Sequence, residues 1–236
     1  MGGLILWMAA AVGAPTVDEV LKDAAEAHGL ARDQRLDVAF SFRGTPYRLH
    51  LDGTDVRYER TVEGIVQRLR GNRFEVLRDG EPLALPPQQS DGLRRSLNSV
   101  GYFATLPRPL FDEAVIATSL GRTSLAGRQW DTVEVAFREE GGGDDHDDVF
   151  RYWFDPTTHE LGFLAYTFTV NDAGVRLRKV IARHDVEGVV LVDWSNHGWN
   201  GRGHTIEAAV KAFEAGTLPQ LSTIELDEIQ VQRLGD

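Results

Sequence analysis

The chain has 236 residues, 42% of them hydrophobic, and a formal net charge of −11. Length and apolar content allow one full core in a single domain, and the acidic balance argues against nucleic acid, whose phosphates need a basic surface. With no cysteine in the sequence, disulfides, thiolate zinc sites, a cysteine nucleophile and a lipoprotein acylation site are all excluded.

Residues 4–14, LILWMAAAVGA, form an apolar run too short to span a bilayer, and Val12 and Ala14 fit the small-residue positions of a signal-peptidase site. The pattern predicts a signal peptide over residues 1–14, cleaved before a mature domain of residues 15–236, with a buried N-terminal core segment as the other reading. No segment qualifies as transmembrane. Thr16 with Glu19 three residues on forms a capping box, and Val17, Val20, Leu21, Ala24 and Ala25 then share one helical face up to a stop at Gly29.

Strand patterns follow at residues 36–42, 46–51, 56–62, 65–70 and 73–78, divided by Arg-Gly, Asp-Gly, Glu-Gly and Gly-Asn turns that predict an antiparallel meander. Arginines crowd this segment, but Asp52, Asp55, Glu59, Glu63 and Glu75 are interleaved with them. A solvated mixed-charge face is the favoured reading, and a site for an anion or lipid headgroup the lesser one. From Gln88 to Gly101 the spacing of Leu93, Leu97 and Val100 predicts a second helix. Residues 102–111, YFATLPRPLF, then read as an apolar loop stiffened by two prolines.

Strands resume at 115–120 and 131–138. The stretch 149–168, VFRYWFDPTTHELGFLAYTF, is two aromatic-rich strands around an Asp-Pro-Thr-Thr-His-Glu turn, the pattern of an antiparallel hairpin. Further strands are predicted at 175–185 and 188–196, a third helix from Thr205 to Gly216, and a last strand at 222–231.

Few residues point to chemistry. The acidic run Asp144-Asp145-His146-Asp147-Asp148 offers hard-cation ligands, but its spacing matches neither an EF-hand nor a helical histidine pair, and a solvated loop is the plainer reading. His28, His159, His184, His197 and His204 make no recognised ligand or triad motif, and no Gly-x-Ser-x-Gly elbow is present. The Gly-rich residues 196–204 lack a P-loop or dinucleotide fingerprint and read as a flexible loop. No cofactor, metal or catalytic residue is assigned. The aromatics carry more: Tyr58, Phe74, Tyr102, Phe103, Trp153, Tyr166 and Phe168 fall on strands or on the apolar loop and together suggest a hydrophobic ligand cavity, whose candidate lining is Tyr58, Phe74, Tyr102, Phe103, Leu106, Phe111, Trp153 and Tyr166. Singly, each is also ordinary core material.

The order of helix, meander, helix with Tyr-Phe-x-x-Leu-Pro, and a second meander containing Tyr-Trp-Phe-Asp-Pro-x-Thr resembles the LolA/LolB-like superfamily of envelope lipoprotein carriers. Within it the chain looks most like an uncharacterised secreted family of Gram-negative bacteria, through Asp145-His146-x-Asp148-Val-Phe-x-Tyr152-Trp153-Phe154-Asp155, Leu164-Ala165-Tyr166 and Arg176-x-Arg178. The resemblance implies an α+β fold, mainly antiparallel β, in which a curved half-barrel sheet is capped by helices and presents an apolar concave face. Better-known members hold acyl chains on that face. The lipid-anchor cysteine of LolB-like members is absent, which leaves a soluble, periplasmic, LolA-like form, and the carriers' functional arginine is not assigned to any single position here.

Three readings follow. The leading one is a non-enzymatic periplasmic carrier for a lipid, acylated or other hydrophobic ligand, with burial of alkyl chain supplying about 0.8 kcal/mol per methylene. The second is an envelope interaction protein whose sheet is filled by its own side chains and which meets a protein partner. The third is a metal-assisted hydrolase using Asp145, His146 and Asp148.

Overall fold

The computed structural model describes residues 14–138, 148–169 and 173–235. Its first element is helix α1 (Val17–Ala27), opened by the predicted capping box: Thr16 Oγ1 accepts the Glu19 amide at 3.3 Å, and Glu19 Oε2 accepts the Thr16 amide at 2.8 Å. The meander follows as β1 (Arg35–Phe42), β2 (Thr45–Asp52), β3 (Asp55–Val62), β4 (Ile65–Arg70), β5 (Arg73–Arg78) and a two-residue β6 (Glu81–Pro82). Tight reversals such as Arg43-Gly44 and Glu63-Gly64 hold both central residues at positive φ, the twist that suits a two-residue hairpin.

Helix α2 (Pro87–Ala104) leads into a 3-10 turn at Arg108–Phe111, and the chain then builds β7 (Val115–Leu125), β8 (Arg128–Phe137), β9 (Phe150–Phe154), β10 (Leu161–Phe168), β11 (Gly174–Val186) and β12 (Val189–Asn200). Helix α3 (Ile206–Glu214) and the strands β13 (Gln220–Ile224) and β14 (Asp227–Arg233) complete it.

The strands form two antiparallel seven-stranded sheets, in the orders β14-β1-β2-β3-β4-β5-β6 and β13-β12-β11-β10-β9-β8-β7, curved and not closed into a barrel. The half-barrel is therefore assembled from two sheets. They are joined at one side by the β13–β14 elbow, where Asp193 accepts the Leu226 amide at 2.9 Å and so satisfies the backbone at the break. At the other side the two sheets end in β6 and β7, and α2 with its 3-10 turn is the segment that connects these ends.

The core divides accordingly. Leu36, Val38, Phe40, Leu49 and Leu51 alternate inward from the first sheet and meet Leu97 of α2. The outward positions pair across the strands: Arg35 with Asp52 and Arg68 with both Glu59 and Glu75 as ion pairs, and His50 with Asp37 through a 2.7 Å hydrogen bond. This is the mixed-charge face expected from the sequence. The second sheet is covered on both sides. Its concave face packs Val133, Tyr152, Phe154 and Trp194 against Val20, Leu21 and Ala24 of α1, while its convex face packs Trp130, Trp153 and Phe163 against Ile206 and Ala209 of α3.

Three expectations are corrected. Tyr102 and Phe103 lie on the last turn of α2, because its apolar spacing runs on through Ala104 and meets no breaker before Pro107. Residues 196–200 of the Gly-rich stretch extend β12, whose partner β11 starts at Gly174 and offers hydrogen bonds that far. The single strand predicted at 222–231 is two strands, one in each sheet. Of the predicted signal peptide 1–14, residues 1–13 lie outside the described residues, as do the acidic-loop residues Asp144, Asp145, His146 and Asp147; Asp148 is described, and buried.

Candidate functional site: an aromatic cleft under the second helix

Helix α2 is held over the first sheet at two points. Gly101 rests on the Tyr58 ring so closely that a Cβ would lie 2.3 Å from it, so only glycine fits. Nearby, buried Arg60 donates to Gln67 Oε1 at 2.7 Å and to Ser96 Oγ of α2 at 3.0 Å. The 3-10 turn is fixed by Arg108, which donates to the Ala31, Gln34 and Arg32 carbonyls at 2.7, 3.0 and 3.0 Å. Burial depresses the Arg108 pKa, and carbonyl acceptors take the place of water around it.

Beneath this lid lies a cleft of about 830 Å³, walled by Leu51, Val56, Tyr58 and Leu69 from the first sheet, Tyr102 and Phe103 from α2, Phe111 from the turn, and Phe137, Phe150, Tyr166 and Phe168 from the second sheet. The rings form a connected series. Phe103 sits 5.5 Å from Tyr166, Phe150 stacks on Tyr166 at 5.1 Å, and Phe137 meets Phe150 edge-on at 5.6 Å. The end of α2 is tied to the floor by a 2.7 Å hydrogen bond between the hydroxyls of Tyr102 and Tyr152. Burial raises the Tyr152 pKa well above the phenol range, so this phenol stays neutral.

The remaining lining is largely small and polar, and among its charged residues Arg32, Arg94, Arg95, Arg108 and Arg176 outnumber the acids Asp112 and Asp148. The chain as a whole is strongly acidic. The cleft thus joins an aromatic wall to a local excess of arginine.

Of the residues the sequence nominated, Tyr58, Tyr102, Phe103, Phe111 and Tyr166 are brought together in this cleft. Trp153 is not. It follows Tyr152 on β9, points to the opposite face, and is buried under α3 with its indole N–H donating to Thr123 Oγ1 at 3.1 Å. Leu106 is buried in the core beside α1, and Phe74 is half-buried against the first-sheet core. Neither lines the cleft. Phe168, one of the aromatics noted in the sequence, also lines the cleft; Phe137 and Phe150 were not noted, although the alternation Phe150, Tyr152, Phe154 marks one strand face. The arginines carried no local signal for a role in the cleft.

No curated protein matches this sequence. The sequence profile of a family of unknown function, DUF6503, matches residues 72–225. The chain belongs to that family. The DUF6503 match begins at β5 and ends just after β13, so it takes in α2, the 3-10 turn and the whole second sheet, the side of the cleft that holds Tyr102, Phe103, Tyr166 and Arg176. Among solved structures, this DUF6503 chain is similar to a LolA superfamily protein from Nitrosomonas europaea, at 10% identity and a TM-score of 0.53, with 94% of this chain and 96% of that one covered. At that identity the likeness shows the fold, which is LolA-like.

Proposed function

We propose that the protein is a non-enzymatic carrier or binding protein for a lipid, acylated or other hydrophobic ligand. The observation that carries this reading is the cleft of about 830 Å³ with its connected aromatic wall. It lies within the usual size range of small-molecule sites, roughly 300–1,000 Å³. Rings left half-exposed on a concave surface bury further apolar area only when something enters. The LolA-like fold supports the same reading.

The carrier reading is tested by organic extraction of the purified protein followed by mass spectrometry, together with uptake of fluorescent fatty-acyl probes of several chain lengths. Co-purified hydrophobic molecules and saturable uptake are expected. Protein that yields no extract and takes up no probe overturns the reading.

The same proposal places the protein in the periplasm, exported by a signal peptide cleaved after Ala14. The apolar run over 4–14 with its small-residue ending supports this. Among the described residues, no helix is long and apolar enough to cross a membrane. N-terminal sequencing of protein recovered from the periplasm is expected to start at or near Pro15, and a full-length chain retained in the cytosol would contradict it.

A further inference from the structure

Arg176 and Arg178 stand two residues apart on β11, so both side chains leave the strand on one face, the face that backs the cleft. Arg176 lines the cleft. Its guanidinium lies 4.6 Å from the Phe168 ring centre and donates to the Val175 and Trp199 carbonyls at 3.0 Å and to Asn200 Oδ1 at 2.7 Å. Arg178 lies one layer deeper, only 8% exposed, with its guanidinium 3.9 Å from the centre of the Phe103 ring and Nη2 donating to the Tyr166 hydroxyl at 3.0 Å. Both Phe103 and Tyr166 are cleft-wall residues.

The buried Nε of Arg178 has no hydrogen-bond partner, and neither arginine meets a carboxylate among the described residues, including the cleft's own Asp112 and Asp148. Such a pair is costly to keep. Guanidinium groups stay protonated, and withdrawing two like charges from water without a counter-anion is unfavourable even where ring faces and carbonyls give partial compensation. Burial depresses the Arg176 pKa, Tyr166 opposes that shift, and the like charge of Arg178 adds to it.

We propose that Arg176 and Arg178 form the headgroup site of an anionic amphiphile, a lipid bearing a carboxylate or phosphate whose tail lies along the Phe103, Phe150 and Tyr166 wall. This inference rests on the carrier reading and adds the sign of the ligand's charge. The anion accepts from the Arg176 guanidinium and from the Nε–H of Arg178, and the planar forks suit its oxygens better than an ammonium would. Phe103 covers Arg178, so its ring must turn aside for the headgroup to reach that second cation.

The test compares a fluorescent anthroyloxy-labelled stearate with the matching fatty alcohol, whose chain is the same and whose headgroup is neutral. The wild-type protein is expected to bind the acid roughly 10-fold or more tightly, the scale of a charge-assisted hydrogen bond to a buried group. Arg176→Gln, at the half-buried position, and the double variant with Arg178→Met are each expected to remove that preference, the acid losing roughly 10-fold more affinity than the alcohol. The single variant keeps the test valid if the double variant fails to fold.

Displacement by dodecyl phosphate against displacement by dodecanoate assigns the headgroup source, phosphate or carboxylate. Equal wild-type affinity for acid and alcohol overturns this inference and leaves the carrier reading standing, as does equal loss of both ligands in Arg176→Gln. Failure of every probe to bind overturns both.

Discussion

Phe103 and Trp153 are both large aromatics on regular elements, and they are expected to respond to substitution in opposite ways. Phe103 is half-buried, walls the cleft and covers Arg178. Phe103→Asp is expected to abolish uptake of a fluorescent fatty-acyl probe, since it removes part of the wall and sets a carboxylate beside the Arg178 guanidinium. Its far-UV circular dichroism should stay near wild type. Trp153 is 2% exposed on the other side of the sheet. Trp153→Ala is expected to cost about 3–5 kcal/mol in chemical denaturation, the range for truncating a core aromatic. At temperatures where the variant is folded, it should bind the probe like wild type. The contrast was partly legible in the sequence: in Phe150-Arg151-Tyr152-Trp153-Phe154 the period of two already puts Trp153 opposite Tyr152. Pooling the aromatics by type obscures this. Arg176 and Arg178 were not legible as cleft residues, because their position one strand layer behind Phe103 depends on where α2 docks.

Between elements, the decisive contact is that of α2 with the first sheet. Gly101 makes it possible by presenting bare backbone to the Tyr58 ring. Gly101→Val puts Cβ where the ring stands, so either Tyr58 or the helix must move. The expected cost is about 1–3 kcal/mol, the usual penalty for overpacking. Weaker probe binding should accompany it, because Tyr102 and Phe103 move with the helix. Tyr58→Ala in the same chain opens room for the added methyls, so the double variant is expected to lose less stability than the two single variants lose together, read by chemical denaturation. An unchanged midpoint in Gly101→Val would show that α2 is not seated as described. At this scale the sequence was most informative where local rules decide: the capping box of α1, the two-residue turns and the third helix from Thr205. It misplaced the end of α2, since two prolines looked like the start of a loop while helical spacing in fact ran on to Ala104. It also merged β13 with β14, because the break at Leu226 is fixed by Asp193, distant in sequence and adjacent only after folding.

At the scale of the whole molecule, α1 is joined to two strands of the second sheet through one buried histidine. His28 is 0% exposed; its ring meets the Val190 carbonyl of β12 at 3.1 Å and the Leu161 amide of β10 at 3.0 Å. A carbonyl only accepts and an amide only donates, so Nδ1 carries the proton, Nε2 is bare, and the ring is neutral. Burial is the chief reason its pKa falls below 6.5, outweighing the Val190 bond and the Glu160 charge. The native state therefore binds fewer protons than the unfolded chain below that value. Stability from His28 is complete above pH 6.5 and is lost as pH falls toward the lowered native pKa. Protonation would also turn Nε2 into a donor facing the Leu161 amide, parting α1 from the sheet whose concave face it covers. Asp55, held at about 2 chiefly by its hydrogen bond with Arg57, runs in a separate window: its contribution is lost only as pH falls from 3.8 toward 2. Thermal unfolding between pH 7.5 and 5.5 should accordingly show a midpoint that drops with acidification. His28→Gln is expected to be less stable at pH 7.5 and to show a shallower slope. Some slope should persist, because His197 is also lowered by burial and acts in the same direction. A His28→Gln protein whose midpoint fell as steeply as wild type would show that the acid sensitivity of this fold lies elsewhere than at the α1 junction.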